Sequence, residues 1–332
     1  MRLSIFICLA AVTGAANAET REAVPARYYN TFSHTNPVFL RIRQGDIVIT
    51  KTLDSGGLNN RGQSMATGGN PLTGPFFIEN AEPGDALVVH LRKVRLNREW
   101  GAGAYRLAPF SVLPEYVESM YPNHYKPDVV RKGRDNLLRW DLDRNTNTVR
   151  LREPVSDKIK LEFPARPMLG CIGVAAPGDF SPTSGPSGSY GGNLDYNEVA
   201  EGATVILPVY HKGGLLFLGD GHAIMADGEP TGSGVETSMD VEFSVEIKKN
   251  AHTTGPRMET ADHIISLGSQ PEFSSSLDRG LQMATTDMIR WLISDYHLEP
   301  WAAHQLIATV GRYDVVTVAG TMALRIPKKY LK

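Results

Sequence analysis

The residues best suited to chemistry are concentrated between Met168 and Glu236. An apolar run punctuated by glycines, Met168-Leu169-Gly170-Cys171-Ile172-Gly173-Val174-Ala175, leads through a Gly/Ser/Pro loop to Gly191-Gly192-Asn193-Leu194-Asp195. A second apolar run, Gly213-Gly214-Leu215-Leu216-Phe217-Leu218, delivers Gly219-Asp220-Gly221-His222-Ala223, and Asp227-Gly228-Glu229 and Glu236 close the segment. Carboxylates and an imidazole at the ends of apolar strands can hold a divalent cation such as zinc while leaving a position open for water. The flanking glycines leave room for a small ligand beside a rigid strand. On this reading Asp195, Asp220 and His222 supply ligand atoms, and Glu229 or Glu236 acts as general base. Taken singly, Asp220 in a Gly-Asp-Gly turn is more often a turn former than a ligand. The sequence contains no HExxH pair, no Cys₂His₂ set and no Gly-x-Ser-x-Gly elbow, so spacing alone matches none of those sites. Cys171 is the competing nucleophile, although the apolar strand around it favours a buried structural thiol.

The elements that must position these groups read mainly as β. Gln44-Gly45-Asp46 precedes Ile47–Thr52, Pro83-Gly84-Asp85 precedes Ala86–Leu91, and Glu201-Gly202-Ala203 precedes Thr204–Val209. Each is a turn feeding a β-branched run, the pattern of related hairpins in a sandwich or barrel. The 32 glycines and 21 prolines among 332 residues exceed the usual combined share of about 12% and sit between short apolar runs. From Arg92 to Lys160 charge rises and periodicity weakens, with Tyr116, Tyr121, Pro122 and Tyr125 scattered through it. That stretch reads as an insertion or flap closed by an edge hairpin around Trp140–Leu151. Asp240–Ile247 alternates strictly, so its acids form a solvated face. Leu277, Leu281, Ala284, Met288, Trp291 and Leu292 recur at helical spacing, and Ala302–Val310 reads as a second helix. Trp291 and Trp301 fit helix packing, and Ile326–Lys329 reads as a polar tail. The expected fold class is α+β, mainly β: a β-sandwich or barrel-like core of short strands over residues 19–250, with the insertion at 92–160. A C-terminal helical hairpin in residues 251–332 completes the same domain.

Composition narrows the setting. Arg2, an apolar stretch from Ile5 to Ala16, and Ala16-Asn17-Ala18 make a secretory signal, with cleavage expected after Ala18 and a periplasmic or secreted product. Stable membrane insertion is not expected after cleavage. Of two cysteines, Cys8 lies in that signal, so the mature chain keeps one thiol and no internal disulfide. A net charge of −2 and a pI near 6.5 argue against nucleic acid as a partner. A strand-rich chain with an aromatic insertion is expected to form a homo-oligomer.

Pro167–Ala175, Gly191–Asp195 and Leu207-Pro208-Val209 through Gly219–Ala223 together resemble the acetamidase/formamidase family, in that family's order. Upstream, Gly45-Asp46, Thr52-Leu53-Asp54-Ser55-Gly56-Gly57 and Thr73-Gly74-Pro75 to Glu82-Pro83-Gly84-Asp85 extend the resemblance, as does Met288-Ile289-Arg290-Trp291-Leu292 downstream. The resemblance implies hydrolysis of short amides such as formamide or acetamide, with release of ammonia, and supports a divalent metal, zinc or calcium. Asp195 and His222 carry over as the leading site residues. Asp54 and Glu79, which end upstream segments, and His34 follow as further metal ligands. Family members often carry Gln-Gly-Asp-Gly-Glu after the histidine, where this chain reads Ile224–Glu229, which implies a different pocket lining. Three readings are thus carried forward: a metal-assisted amidohydrolase, a cysteine-dependent amidase using Cys171, and a non-catalytic small-molecule-binding protein on the same scaffold.

Overall fold

The strands that follow the Gly-Asp turns lie in one sheet. In the computed structural model, which describes residues 18–117, 137–153, 156–269 and 276–331, that sheet has nine strands. Its spatial order is Thr20–Glu22, Ile47–Lys51, Met239–Lys248, Ala86–Leu96, Thr204–Pro208, Arg257–Glu259, His263–Gly268, Thr321–Pro327 and Arg312–Thr317. The aspartates of the turns are structural. Asp46, buried, accepts hydrogen bonds from the backbone N–H groups of Glu19 and Arg43 and from Arg21 Nε, each at 3.0 Å. Asp85 likewise accepts from the N–H groups of Glu82 and Asn250 and from Lys249 Nζ.

This arrangement predicts a pH-dependent contribution to stability. Burial raises the Asp46 pKa, but the Arg43 and Glu19 N–H bonds and the Arg21 side chain outweigh it, and the net shift is downward. A folded-state pKa below the unfolded one stabilises the fold above the unfolded value, and that stability is lost as pH falls through the folded value. Asp46→Asn is therefore expected to cost about 1–2 kcal/mol of unfolding free energy at pH 7. The difference from the parent should shrink as urea titrations are moved from pH 7 toward pH 3. A pH-independent deficit would contradict the role.

The second sheet carries the chemistry. Its order is Ser187–Gly188, Gly191–Asn193, Met168–Val174, Leu216–His222, Glu236–Thr237, Trp100–Ala104, Leu137–Asp143, Thr148–Leu151 and Glu162–Pro164; Thr73–Ile78 also pairs with Leu216–His222, and Leu40–Ile42 with Thr73–Ile78. The two sheets share a core, as in a sandwich. Phe76 of the second meets Phe243 of the first edge-on, with ring centroids 5.1 Å apart. Met168–Val174 and Leu216–His222 are buried along their whole lengths, which explains why both read as continuous apolar runs rather than alternating ones.

Residue 92 falls within the strand Ala86–Leu96, and Leu137–Asp143 pairs with Thr148–Leu151 as a hairpin. Tyr121, Pro122 and Tyr125, like residues 1–17, lie outside the described residues. The C-terminal stretch differs from the helical expectation. Leu277–Ser294 and Pro300–Val310 are helices, but Arg257–Glu259, His263–Gly268, Arg312–Thr317 and Thr321–Pro327 extend the first sheet. Thr321–Leu324 and Ile326 are buried, so no alternation marked that strand, and Ile326 belongs to a core rather than a tail. Ala284, Met288, Trp291 and Leu292 pack against Ile264, Leu324 and Ile326 in one cluster. Trp301 does not share in this packing. It is 70% exposed, next to Pro300 in the first turn of the second helix.

Candidate functional site: a buried carboxylate–imidazole centre

Strand register brings the sequence-predicted groups together. His222 ends its strand directly opposite Glu236, and its Nε2 lies 3.1 Å from Glu236 Oε1 and 3.6 Å from Asp220 Oδ1. On the other side, Leu169 pairs with Gly221 and Cys171 with Gly219, which sets Gly170 beside Asp220. The Gly170 carbonyl accepts the N–H groups of Leu194 and Asp195, at 2.8 and 3.1 Å, and so draws Asp195 into the same space. Two overlapping metal-competent groups result, Asp195/Asp220/His222 and His222/Glu229/Glu236, with the ligand atoms of each within 4.8 Å of one another. Asp195, Asp220 and His222 are buried, whereas Glu229 and Glu236 are half-buried and form the outer side of the centre.

Two glycines make the centre possible by having no side chain. A Cβ on Gly170 would stand 2.5 Å from both Asp195 Oδ1 and Asp220 Oδ2. One on Gly234 would stand 2.5 Å from His222 Cγ. Asp195, Asp220 and Glu229 adopt φ values of +46°, +53° and +47°. Such left-handed backbone is costly for residues bearing a Cβ and concentrates at functional sites.

Crowding so many acids shifts their proton affinities in opposite directions. Burial, then the neighbouring Glu229 and Asp220 charges, push Asp195 well above the carboxylate range. Burial and Glu236 raise Asp220 to about 6. Burial raises Glu229 to about 8 against the pull of His222. Glu236 goes the other way: burial alone would raise it, but His222, Asp220 and Ser55 hold it down at about 2. His222 is raised despite its burial, because Glu236 and Asp220 favour the imidazolium. Glu236 Oε1 also accepts hydrogen bonds from Ser233 Oγ and Gly234 N. Asp195 Oδ1, Asp220 Oδ1, both ring nitrogens of His222 and Glu236 Oε2 are buried with no hydrogen-bond partner. Orphaned oxygens and nitrogens converging on one space are the donor set of a divalent cation, so the residues fit such an ion.

The other sequence candidates lie outside this centre. Asp54 is buried and neutralised by Arg98, whose Nη2 is 2.7 Å from Asp54 Oδ2; Arg98 also holds Thr237 Oγ1 and stacks on Trp100. Asp54 thus braces the strand carrying Glu236 instead of offering a ligand atom. His34 stacks on His211 with ring centroids 4.6 Å apart, and its Nε2 is 3.9 Å from exposed Asp179. Glu79 is exposed just past the strand Thr73–Ile78, where the buried Ile78 turns it outward. Cys171 is buried within the sheet, its thiol pKa raised by burial first and by the surrounding acids second. Sequence reasoning missed Gly234, Ser233 and Ser55; Ser55 was visible only as the neighbour of Asp54. A broad surface groove of about 1080 Å³ includes Lys51, Lys93, Arg95, Asp240 and Glu242, and none of the five centre residues lines it.

A two-sheet sandwich enclosing a cation-ready carboxylate–imidazole centre defines the class of protein. The acetamidase/formamidase family profile matches residues 181–280, a span containing all five residues of the centre. It is similar to an acetamidase from Bacillus halodurans, with 26% identity, TM-score 0.75 and coverage of 93% of this chain and 98% of that one. Similarity to a predicted acetamidase/formamidase from Thermoanaerobacter tengcongensis is comparable, at 28% identity and TM-score 0.73, covering 95% of this chain and 97% of that one. A Schizosaccharomyces pombe protein provisionally named a formamidase is 25% identical over 213 residues. That match spans about half of each sequence, 54% of this chain and 52% of the relative.

Proposed function

We propose that the protein is an exported amidohydrolase that cleaves short linear amides, of the formamide and acetamide kind, to the carboxylic acid and ammonia. The observation that carries this reading is the convergence of orphaned buried atoms from Asp195, Asp220, His222 and Glu236. Asp195, Asp220 and His222 would hold a divalent cation, zinc by donor type and calcium as the alternative. Bound there, such an ion supplies Lewis-acid polarisation of the amide carbonyl and a more acidic water.

The chain's own residues do the rest. Glu236, ionised, faces the imidazole of His222 and fixes its ring. Glu229, on the outer side of the centre, is the carboxyl placed to move a proton between water and the departing nitrogen. The glycine-lined, largely buried setting favours a small substrate over a long chain. Export rests on the Arg2 to Ala18 signal, and N-terminal sequencing of the secreted or periplasmic protein should begin at Glu19. No helix among the described residues is long and apolar enough to cross a membrane. Self-association is part of the same proposal, resting on the strand-rich surface, and light scattering of the purified protein tests it.

The test is ammonia release from a panel of formamide, acetamide, propionamide and a γ-lactam, with and without chelator. Turnover of at least one short amide is expected, lost on chelation and restored by zinc or calcium. Chelator-resistant turnover would sink the metal assignment. A folded protein inert toward the whole panel would favour the binding-protein reading.

A further inference from the structure

Cys171 and Asn193 stand next to the centre without belonging to it. They are register partners on adjacent antiparallel strands. Cys171 Sγ lies 2.8 Å from Asn193 Oδ1, and Asn193 Nδ2 lies 2.5 Å from Asp195 Oδ2. Asn70 Nδ2 reaches the same Oδ1 at 3.4 Å. The carbonyl of Ser184 is a more distant acceptor for the thiol, at 3.5 Å.

We infer that Cys171 is a positioning residue: its S–H donates to Asn193 Oδ1 and locks the amide so that the NH₂ group holds Asp195 Oδ2. The inference rests on the reading of the site given above. An asparagine amide can sit in two orientations that differ only in the exchange of oxygen and nitrogen. Reversed, Asn193 would set its oxygen 2.5 Å from a carboxylate oxygen and its NH₂ against that of Asn70, leaving two repulsive contacts. As placed, every contact pairs a donor with an acceptor. The thiol proton is the closer of the two donors to Oδ1, at 2.8 Å against 3.4 Å from Asn70, and reinforces this orientation. With Asp195 Oδ2 engaged, Oδ1 is the oxygen left without a partner, beside Asp220 and against Gly170. The thiol thereby determines which oxygen of Asp195 the centre can use. This role requires the sulfur to keep its proton, and burial among acids holds the thiol pKa well above its ordinary value. A residue that must remain a donor is unsuited to be a nucleophile.

The test compares Cys171→Ser, which keeps a donor, with Cys171→Ala, Asn193→Ala and the double alanine variant. Three measurements are made: acetamide turnover, zinc titration by calorimetry, and the side-chain NH₂ signal of Asn193 in protein labelled with ¹⁵N-asparagine. That signal is assigned by its loss in Asn193→Ala. Cys171→Ser should stay within about threefold of the parent in kcat/KM and zinc affinity, whereas Cys171→Ala should lose about tenfold or more in both. The double variant should be no worse than Asn193→Ala, because the thiol acts through the amide. The NH₂ signal should persist at its parent shift in Cys171→Ser and move or broaden in Cys171→Ala. Equal impairment of Cys171→Ser and Cys171→Ala overturns the proposal by making the sulfur itself essential. Parent-like behaviour of Cys171→Ala, or additive losses in the double variant, overturns it as well. Should the parent hydrolyse no amide and bind no zinc, the proposed function fails, while the NH₂ signals still decide the role of Cys171.

Discussion

His222→Ala is expected to lower kcat/KM for the best amide substrate by about 10³-fold while leaving the sandwich folded. His222 is fully buried. It ends a central strand and is the one imidazole of the centre, facing Asp220 and Glu236. Removing it takes away the cation that keeps Glu236 ionised and leaves several acids to repel one another at close range. Zinc affinity should therefore fall together with activity. His34→Ala, by contrast, should change activity by no more than about twofold, since His34 stacks on His211 and lies outside the centre. The pair separates the two histidines that the sequence offered as ligands. Steady-state kinetics on both variants, with circular dichroism to confirm folding, would falsify the placement of the centre if their effects were equal or reversed.

Gly170→Ala should be nearly as damaging, although it adds a single methyl group. The added Cβ would meet Asp195 Oδ1 and Asp220 Oδ2, each at 2.5 Å. Neither carboxylate can easily withdraw. Asp195 is fixed by its backbone N–H to Gly170 O and by Asn193, and Asp220 lies within a buried strand. A displacement of about an ångström in such groups costs about 10²-fold in rate. The overpacking should also destabilise the fold by about 1–3 kcal/mol. Gly255→Ala is the matched control, because the nearest atom to its added Cβ is 3.8 Å away and its φ is ordinary. Near-parent activity in Gly170→Ala would mean that these carboxylates are not held where the structure puts them.

What was legible in the sequence follows from the range of the physics involved. Local patterns carried well. The Gly-Asp turns, the alternating strand at Met239–Lys248 and the helix at Leu277–Ser294 each announce themselves within a dozen residues. The motif order brought out Asp195, Asp220, His222, Glu229 and Glu236 before any strand pairing was known, and the structure brings these five together. Asp54, His34 and Glu79 lie apart from the centre, and the sequence could not show this for one shared reason. Each is a polar residue near a strand or turn, and only tertiary packing reveals that Arg98 neutralises the first while the other two face away. The strands His263–Gly268 and Thr321–Pro327 escaped because a strand buried on both faces has no polar alternation to detect. Gly234 escaped because its role, making space for an imidazole, exists only once Glu236 pairs with His222.

The left-handed φ values at Asp195, Asp220 and Glu229 set durability against purpose. At each position the backbone would relax by about 1–2 kcal/mol if glycine replaced the acid. Asp220→Gly should accordingly melt no lower than the parent while losing its turnover. Variants chosen only for heat resistance would tend to discard these acids first. At these three carboxylates heat resistance and the chemistry of the centre pull in opposite directions.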